Sequence, residues 1–161
     1  MIELDIIYVL KFVHLIGASV LFGTGLGIAF FMFMAHRTGH SGVIAVVARF
    51  VVIADFVFTA TAVVVQPVSG FALAWAIGLT PLNESWIVAS LLLYVFVGLC
   101  WLPVVFIQMR IRNIARDAAI KAEPLPRRYY RLYRTWFWLG WPAFAGVLAI
   151  FALMIWQPHW W

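Results

Sequence analysis

The chain has 161 residues, 66% hydrophobic and 11% charged, with 11 Lys and Arg against 6 Asp and Glu and a mean hydropathy of +1.02. An average soluble domain carries about 25% charged residues, so this composition excludes one and points to an integral membrane protein. A spanning helix needs about 20 mostly apolar residues, and four runs, roughly 5–34, 49–78, 86–108 and 135–157, meet that need and leave no room for a soluble domain.

The first run places Lys11 and His14 inside otherwise apolar helix. An ionisable group there needs a partner, a wet cavity or a ligand, and marks a functional-site candidate. Gly17, Gly23, Gly25 and Gly27 with Ala18 and Ser19 make a small-residue surface on which another backbone can pack closely, or a flat ligand can rest. The preceding Met1-Ile2-Glu3-Leu4-Asp5 lacks the basic region of a secretory signal, so the first helix is expected to stay attached. His36, Arg37 and His40 close the helix at the surface and are expected in solvent. His36 and His40 share an i, i+4 spacing, but two ligands without a nearby Cys or carboxylate make a weak metal site, and no metal is assigned.

In the second run Asp55, Thr59, Ala62, Gln66 and Ser69 follow three-and-four spacing, share one helical face, and should point into the bundle. Pro67 should kink the helix and free carbonyls for Gln66 or Ser69 to satisfy. The third run opens at Trp86, carries the lone Cys100 as a small core residue, and should continue past the membrane as a basic helix from Arg110 to Lys121. Pro124 and Pro126 stop it and start the next. Trp136, Trp138 and Trp141 are expected at the inner interface, and Trp156, Trp160 and Trp161 at the outer one, as aromatic belts.

Short connections imply an all-α, four-transmembrane-helix, up-down-up-down antiparallel bundle, a single membrane domain over 1–161. Basic residues flank the first and third connections, and none lies near Asn83 and Glu84 in the second. By the positive-inside rule the first and third connections are cytoplasmic and both termini are outside. The +5 charge is thus a topology signal with anionic-lipid contact as a secondary role, not a nucleic-acid footprint. No phosphate loop, nucleophile elbow or His-Glu-x-x-His motif is present.

A rise of about 1.5 Å per residue sets His14 about 13 Å and Lys11 about 9 Å below the outer surface, with Gln66 near that boundary. Asp55 then falls about 6 Å from His14 along the membrane normal. The two are expected to meet, with Lys11 and Gln66 extending a polar pocket toward the outside. Three readings of that pocket stand: structural polar contacts with Lys11 reaching outward to Glu3 or Asp5, a proton or ion relay through Asp55 and His14, or haem ligation by His14. His36 and His40 lie too deep on the other side to share the site, and His159 too shallow.

The segments Asp55-Phe-Val-Phe-Thr59, Gln66-Pro67-Val-Ser-Gly70, Tyr94 to Pro103, Pro124-Leu-Pro126 and Trp136-Phe-Trp-Leu-Gly-Trp-Pro-Ala-Phe144 resemble, over essentially the full length, a bacterial integral membrane family labelled domain of unknown function 2269. That family is distantly similar to the copper-resistance D proteins and to the J-type protoporphyrinogen oxidase, a haem-b membrane enzyme. Lys11-Phe-Val-His14 resembles the oxidase's first-helix Lys-x-x-His, and Arg134 through Pro142 to Gln157-Pro158 resembles its last helix. The oxidase has an Asn-Glu pair where this chain has Gly140 and Trp141, and a Lys-Pro where it has Gln157-Pro158. Its third helix has a Lys after the opening Trp and later histidines; Trp86 here is followed by Ala89, Ser90 and Leu91, with no histidine in the span.

The resemblance implies a redox-linked protein binding haem b, or a related cofactor, through His14. The alternative is a non-enzymatic bundle acting as an assembly partner, in a homo-oligomer or with another membrane protein, or as a small-solute or ion carrier.

Overall fold

Long apolar stretches with few breakers give long helices, and in the computed structural model, which describes residues 2–161 with side chains from residue 4, four of them are long and apolar enough to cross a membrane. Helix α1 runs Ile2–Thr38, and Gly39, at φ +67, turns the chain within two residues into α2, Ser41–Ala54. Only glycine takes that left-handed conformation without a Cβ clash. A single π-helical turn, Asp55–Thr59, joins α2 to α3, Ala60–Ala76, so that Ser41–Ala76 forms the second span. Helix α4, Ser85–Lys121, has 37 residues, about 55 Å at 1.5 Å per residue, and projects well beyond a core of about 30 Å. It ends in a Schellman turn: Glu123 N–H donates to Ala118 O, and Ala122 sits at φ 53. Pro126 caps the start of α5, Arg127–Trp156.

The expected bundle is present, with no strand among the described residues. The second span begins eight residues earlier than expected, because Ile44, Ala48, Val51 and Val52 supply a buried helical stripe ahead of the continuous apolar run. The break in this span also lies elsewhere. The helix passes through Pro67 without ending, and the departure from α-geometry is the π-turn at Asp55–Thr59. The Val63 carbonyl, whose helical N–H donor Pro67 removes, accepts from the Tyr94 hydroxyl at 2.5 Å, in place of the Gln66 or Ser69 expected there.

The extra backbone residue of the π-turn offsets the packing faces on its two sides. Helix α2 packs on both α1 and α4, whereas α3 keeps α1 and gives up α4. Helices α4 and α5 pack along each other, and α1 touches α5 only sparsely. At the basic end, where the α1–α2 and α4–α5 connections lie, all helices close on one core of Met32, Ile44, Ala48, Ile111, Ala115 and Tyr129, none more than 0% exposed, with Tyr133 and Trp136. Toward the end that holds both termini, the α1/α3 and α4/α5 pairs separate. A smaller cluster of Ala74, Trp86 and Ile87 sits there, tied off where Ser85 Oγ donates to Pro158 O and accepts from Trp160 N–H. The outward faces of the spans carry large exposed apolar side chains that meet the bilayer.

His36, expected in solvent, stacks on Tyr133 with ring centroids 3.7 Å apart, and its Nδ1 lies 3.0 Å from the Tyr129 hydroxyl. Tyrosines 129 and 133, one turn apart on α5, make the slot that draws the imidazole in. Trp136 also leaves its expected interfacial place and is 5% exposed inside the core, while Trp138 faces outward.

Candidate functional site

The gap between the two helix pairs is a cavity of about 340 Å³. Ala18, Gly25, Gly98 and Gly140 leave room on three helices, and Phe22, Tyr94, Trp101, Trp141 and Phe144 furnish aromatic walls. Its seam between α1 and α5 is bridged by Phe22, which stacks on Phe144 at 5.1 Å and tilts against Phe151 at 5.6 Å.

Polar groups enter the wall mainly from the second span. Asp55, the first residue of the π-turn, is 3% exposed. Trp101 Nε1–H donates to its Oδ1 at 3.2 Å. Gln108 is 1% exposed and sits between Asp55 and Trp136. An indole N–H can only donate, so the Gln108 oxygen turns to Trp136, at 3.1 Å, and its NH2 donates to Asp55 Oδ2 at 2.6 Å. Both carboxyl oxygens therefore accept from neutral donors. Thr59 and Gln66 also contribute to the cavity wall; Thr59 Oγ1 and Gln66 Oε1, though buried, have no hydrogen-bond partner, and Gln66 Oε1 is directed at Gly17 in the α1/α3 contact. A buried polar atom left unpaired costs about 1–3 kcal/mol, which leaves Thr59 Oγ1 as the atom with unspent bonding capacity nearest Asp55.

Of the four residues expected to form one polar pocket, the structure brings Asp55 and Gln66 to the cavity wall. His14 lies on the other side of α3's packing contact with α1. Its Nδ1 is 3.0 Å from Ser69 Oγ, and its Cε1 lies 3.0 Å from where a Cβ on Gly70 would stand. Ser69 donates its single hydroxyl proton to Val65 O at 2.7 Å, so it accepts from His14 Nδ1–H, which leaves the Nε2 lone pair unused. Lys11 is exposed on α1 and lines no part of the cavity; Glu3, one partner expected for it, lies outside the described side chains. Asp55 thus pairs with Trp101 and Gln108 instead of His14. The face expected from Asp55 to Ser69 is shared between two tasks: Asp55, Thr59 and Gln66 meet the cavity, while Ser69 meets His14.

The sequence reading missed Trp101, Gln108 and Trp136. Trp101 and Gln108 stand two helical turns apart on one face of α4, a spacing visible in the sequence, but belts account for tryptophan so readily that the polar neighbour did not stand out. The close fit of α1 on α3 is also specific. A Cβ on Gly17 would stand 2.6 Å from Gln66 Oε1, so the glycine makes space for that amide.

Among the described residues no group of three or more His, Cys, Asp or Glu is arranged to hold a metal ion. Comparison with protein families gives one match: the family described as predicted integral membrane protein (DUF2269), over residues 8–158. Neither the curated proteins nor the solved structures contain a match.

Proposed function

The chain belongs to the DUF2269 family of predicted integral membrane proteins, and we propose that within the membrane it binds and hands on a small lipophilic molecule held in the cavity between the α1/α3 and α4/α5 pairs. One observation carries this reading: an apolar, aromatic-walled cavity into which the second span brings Asp55 and, one turn on, Thr59, whose Oγ1 is buried without a partner. Ligand pockets combine these features, apolar bulk for affinity and a few convergent polar atoms for orientation. The sparse α1/α5 contact supplies a route from the bilayer, with Phe22 across it. The placement of Arg37, Arg49, Arg110 and Arg112 at one end supports an inner-membrane orientation with both termini outside, which a cytoplasmic reporter fused after Trp161 tests by staying inactive.

The cavity is tested by titrating 1-naphthol into the protein in nanodiscs and reading tryptophan quenching, corrected for partition into empty discs. A Cβ on Gly98 meets nothing within 4 Å, so Gly98→Leu fills the space. Saturable quenching that Gly98→Leu abolishes, with helicity retained, is the expected result; quenching that is absent, or indifferent to that substitution, refutes the reading.

Haem ligation by His14 is the second reading. The Ser69 hydrogen bond fixes the imidazole and leaves Nε2 free, an arrangement typical of metal-ligating histidine. The fit is otherwise poor: the Cε1 edge of the ring abuts Gly70, off the cavity wall, and a macrocycle there requires α1 and α3 to part. His36 bonds Tyr129 and His159 pairs with Glu84 at 3.6 Å, so neither supplies a second axial ligand. A Soret band in purified protein, lost in His14→Ala, is the outcome this reading requires; colourless protein that haem cannot reconstitute ends it.

A further inference from the structure

Asp55 is a nearly fully buried acid in the membrane-spanning part of the chain, and among the described residues no Lys, Arg or His reaches it. Its two oxygens face neutral groups, the Trp101 indole, the Gln108 amide and the nearby Thr59 hydroxyl, and Gln108 is locked in the donating orientation by Trp136. Ionisable groups in a membrane interior carry a desolvation cost that a single pair of neutral hydrogen bonds offsets only in part, and they serve pathways or ligands. The basic side chains of α1 do not relieve it: His36 is engaged with Tyr129, His14 with Ser69 outside the cavity, and Lys11 is exposed. Around the carboxyl the wall is π-rich, with Tyr94, Trp101 and Trp141 lining the same space. Aromatic faces attract cations most strongly where water is excluded.

We infer that the molecule held in this cavity carries a positively charged nitrogen, and that a lipophilic ammonium ion docks with its apolar body between the helix pairs and its cationic head between Asp55 and the aromatic wall. Thr59 Oγ1, an unpaired oxygen one turn from Asp55, accepts from any N–H the head retains. The inference rests on the cavity reading and adds the charge of the ligand to it. Nothing beyond binding is required of the protein, and the positive charge complements a carboxylate that the fold itself leaves without a counter-ion.

The test uses two probes of one shape in the nanodisc-embedded full chain: 1-naphthylmethyl-trimethylammonium, and its uncharged carbon isostere 1-neopentylnaphthalene. After correction for partition into empty discs, the cation should bind at least about tenfold more tightly, the ratio expected of a desolvated cation–π and carboxylate contact. In Asp55→Asn, the preference should fall to within about threefold while the isostere's binding is unchanged. Equal binding of both probes by the wild type overturns the cationic assignment and leaves the cavity reading standing. Binding of neither overturns both. A preference that survives in folded Asp55→Asn also overturns the assignment. If that variant does not fold, the wild-type ratio decides, with 1-naphthylmethanesulfonate as a third probe that should bind more weakly than the isostere; a sulfonate that binds as tightly as the ammonium overturns the proposal.

Discussion

The same helices are packed in two ways along their length. In the basic half, Met32, Ile44, Ala48, Ile111, Ala115 and Tyr129 are sealed from solvent, and aromatic rings interlock around His36. In the terminal half, Gly98 and Gly140 face open space, and the rings of Tyr94, Trp101 and Trp141 line a cavity without filling it. Helices in lipid gain little from hydrophobic burial against one another, so contact and hydrogen bonding decide where they adhere. The basic half has that contact. Across the terminal half the pairs meet through the aromatic contact at Phe22 and the Tyr94–Val63 hydrogen bond, while the Ser85 tie joins the start of α4 to the segment after α5. A firm base with an open upper half is what a ligand-holding bundle requires, since a fully packed one has no volume to offer.

The comparison breaks first at Tyr129. Tyr129→Ala should lower stability by about 3–5 kcal/mol, read by reversible denaturation in mixed micelles, because the side chain is wholly buried and has no water to replace it. A loss under about 1 kcal/mol means the basic half is not the rigid part. Gln108→Leu should cost about 1–3 kcal/mol, since it strips a donor from Asp55 and an acceptor from Trp136; Gln108→Glu, which keeps the shape, should also reverse the polarity toward Asp55 and be no better tolerated. Gly17→Ala should cost about 1 kcal/mol, at the low end for overpacking because only the tip of Gln66 must yield. The double variant Gly17→Ala/Gln66→Ala should recover most of it, and failure to recover would show that the α1/α3 contact is set elsewhere. Gly98→Ala should change stability least, with a gain of up to about 1 kcal/mol from helix propensity and no clash. A measurable loss there means the cavity closes in the membrane.

How much of this was legible varies by residue. The four spans follow from apolar runs alone, and Asp55 and Gln66 announce themselves as polar residues in lipid. Their partners do not. Whether a tryptophan belongs to a belt or to a buried network depends on tertiary rotation of its helix, and Trp136 and Trp138, two positions apart, divide between the two. His14 was legible as unusual, but the depth arithmetic fails at its starting point. The second span begins at Ser41, ahead of the continuous apolar run, so His14 stands level with Ser69, 14 residues or about 21 Å of helix from Asp55. The π-turn has no sequence signature at all in Asp55-Phe-Val-Phe-Thr59, which reads as ordinary apolar helix.

That turn makes the chain unequally tolerant of changes in length. One residue is about 100° of helical rotation. Deleting one residue of the π-turn removes its extra residue and restores α-geometry with the flanking helices in register. Deleting one residue of α3 between Ala60 and Val65, by contrast, would swing everything downstream through more than a quarter of a circle. Gln66 would leave the cavity and Ser69 would lose His14, although no side chain that touches either had been altered. The same deletion in the eight residues between α3 and α4 only shortens a loop. Phase, more than composition, is what the second span stores.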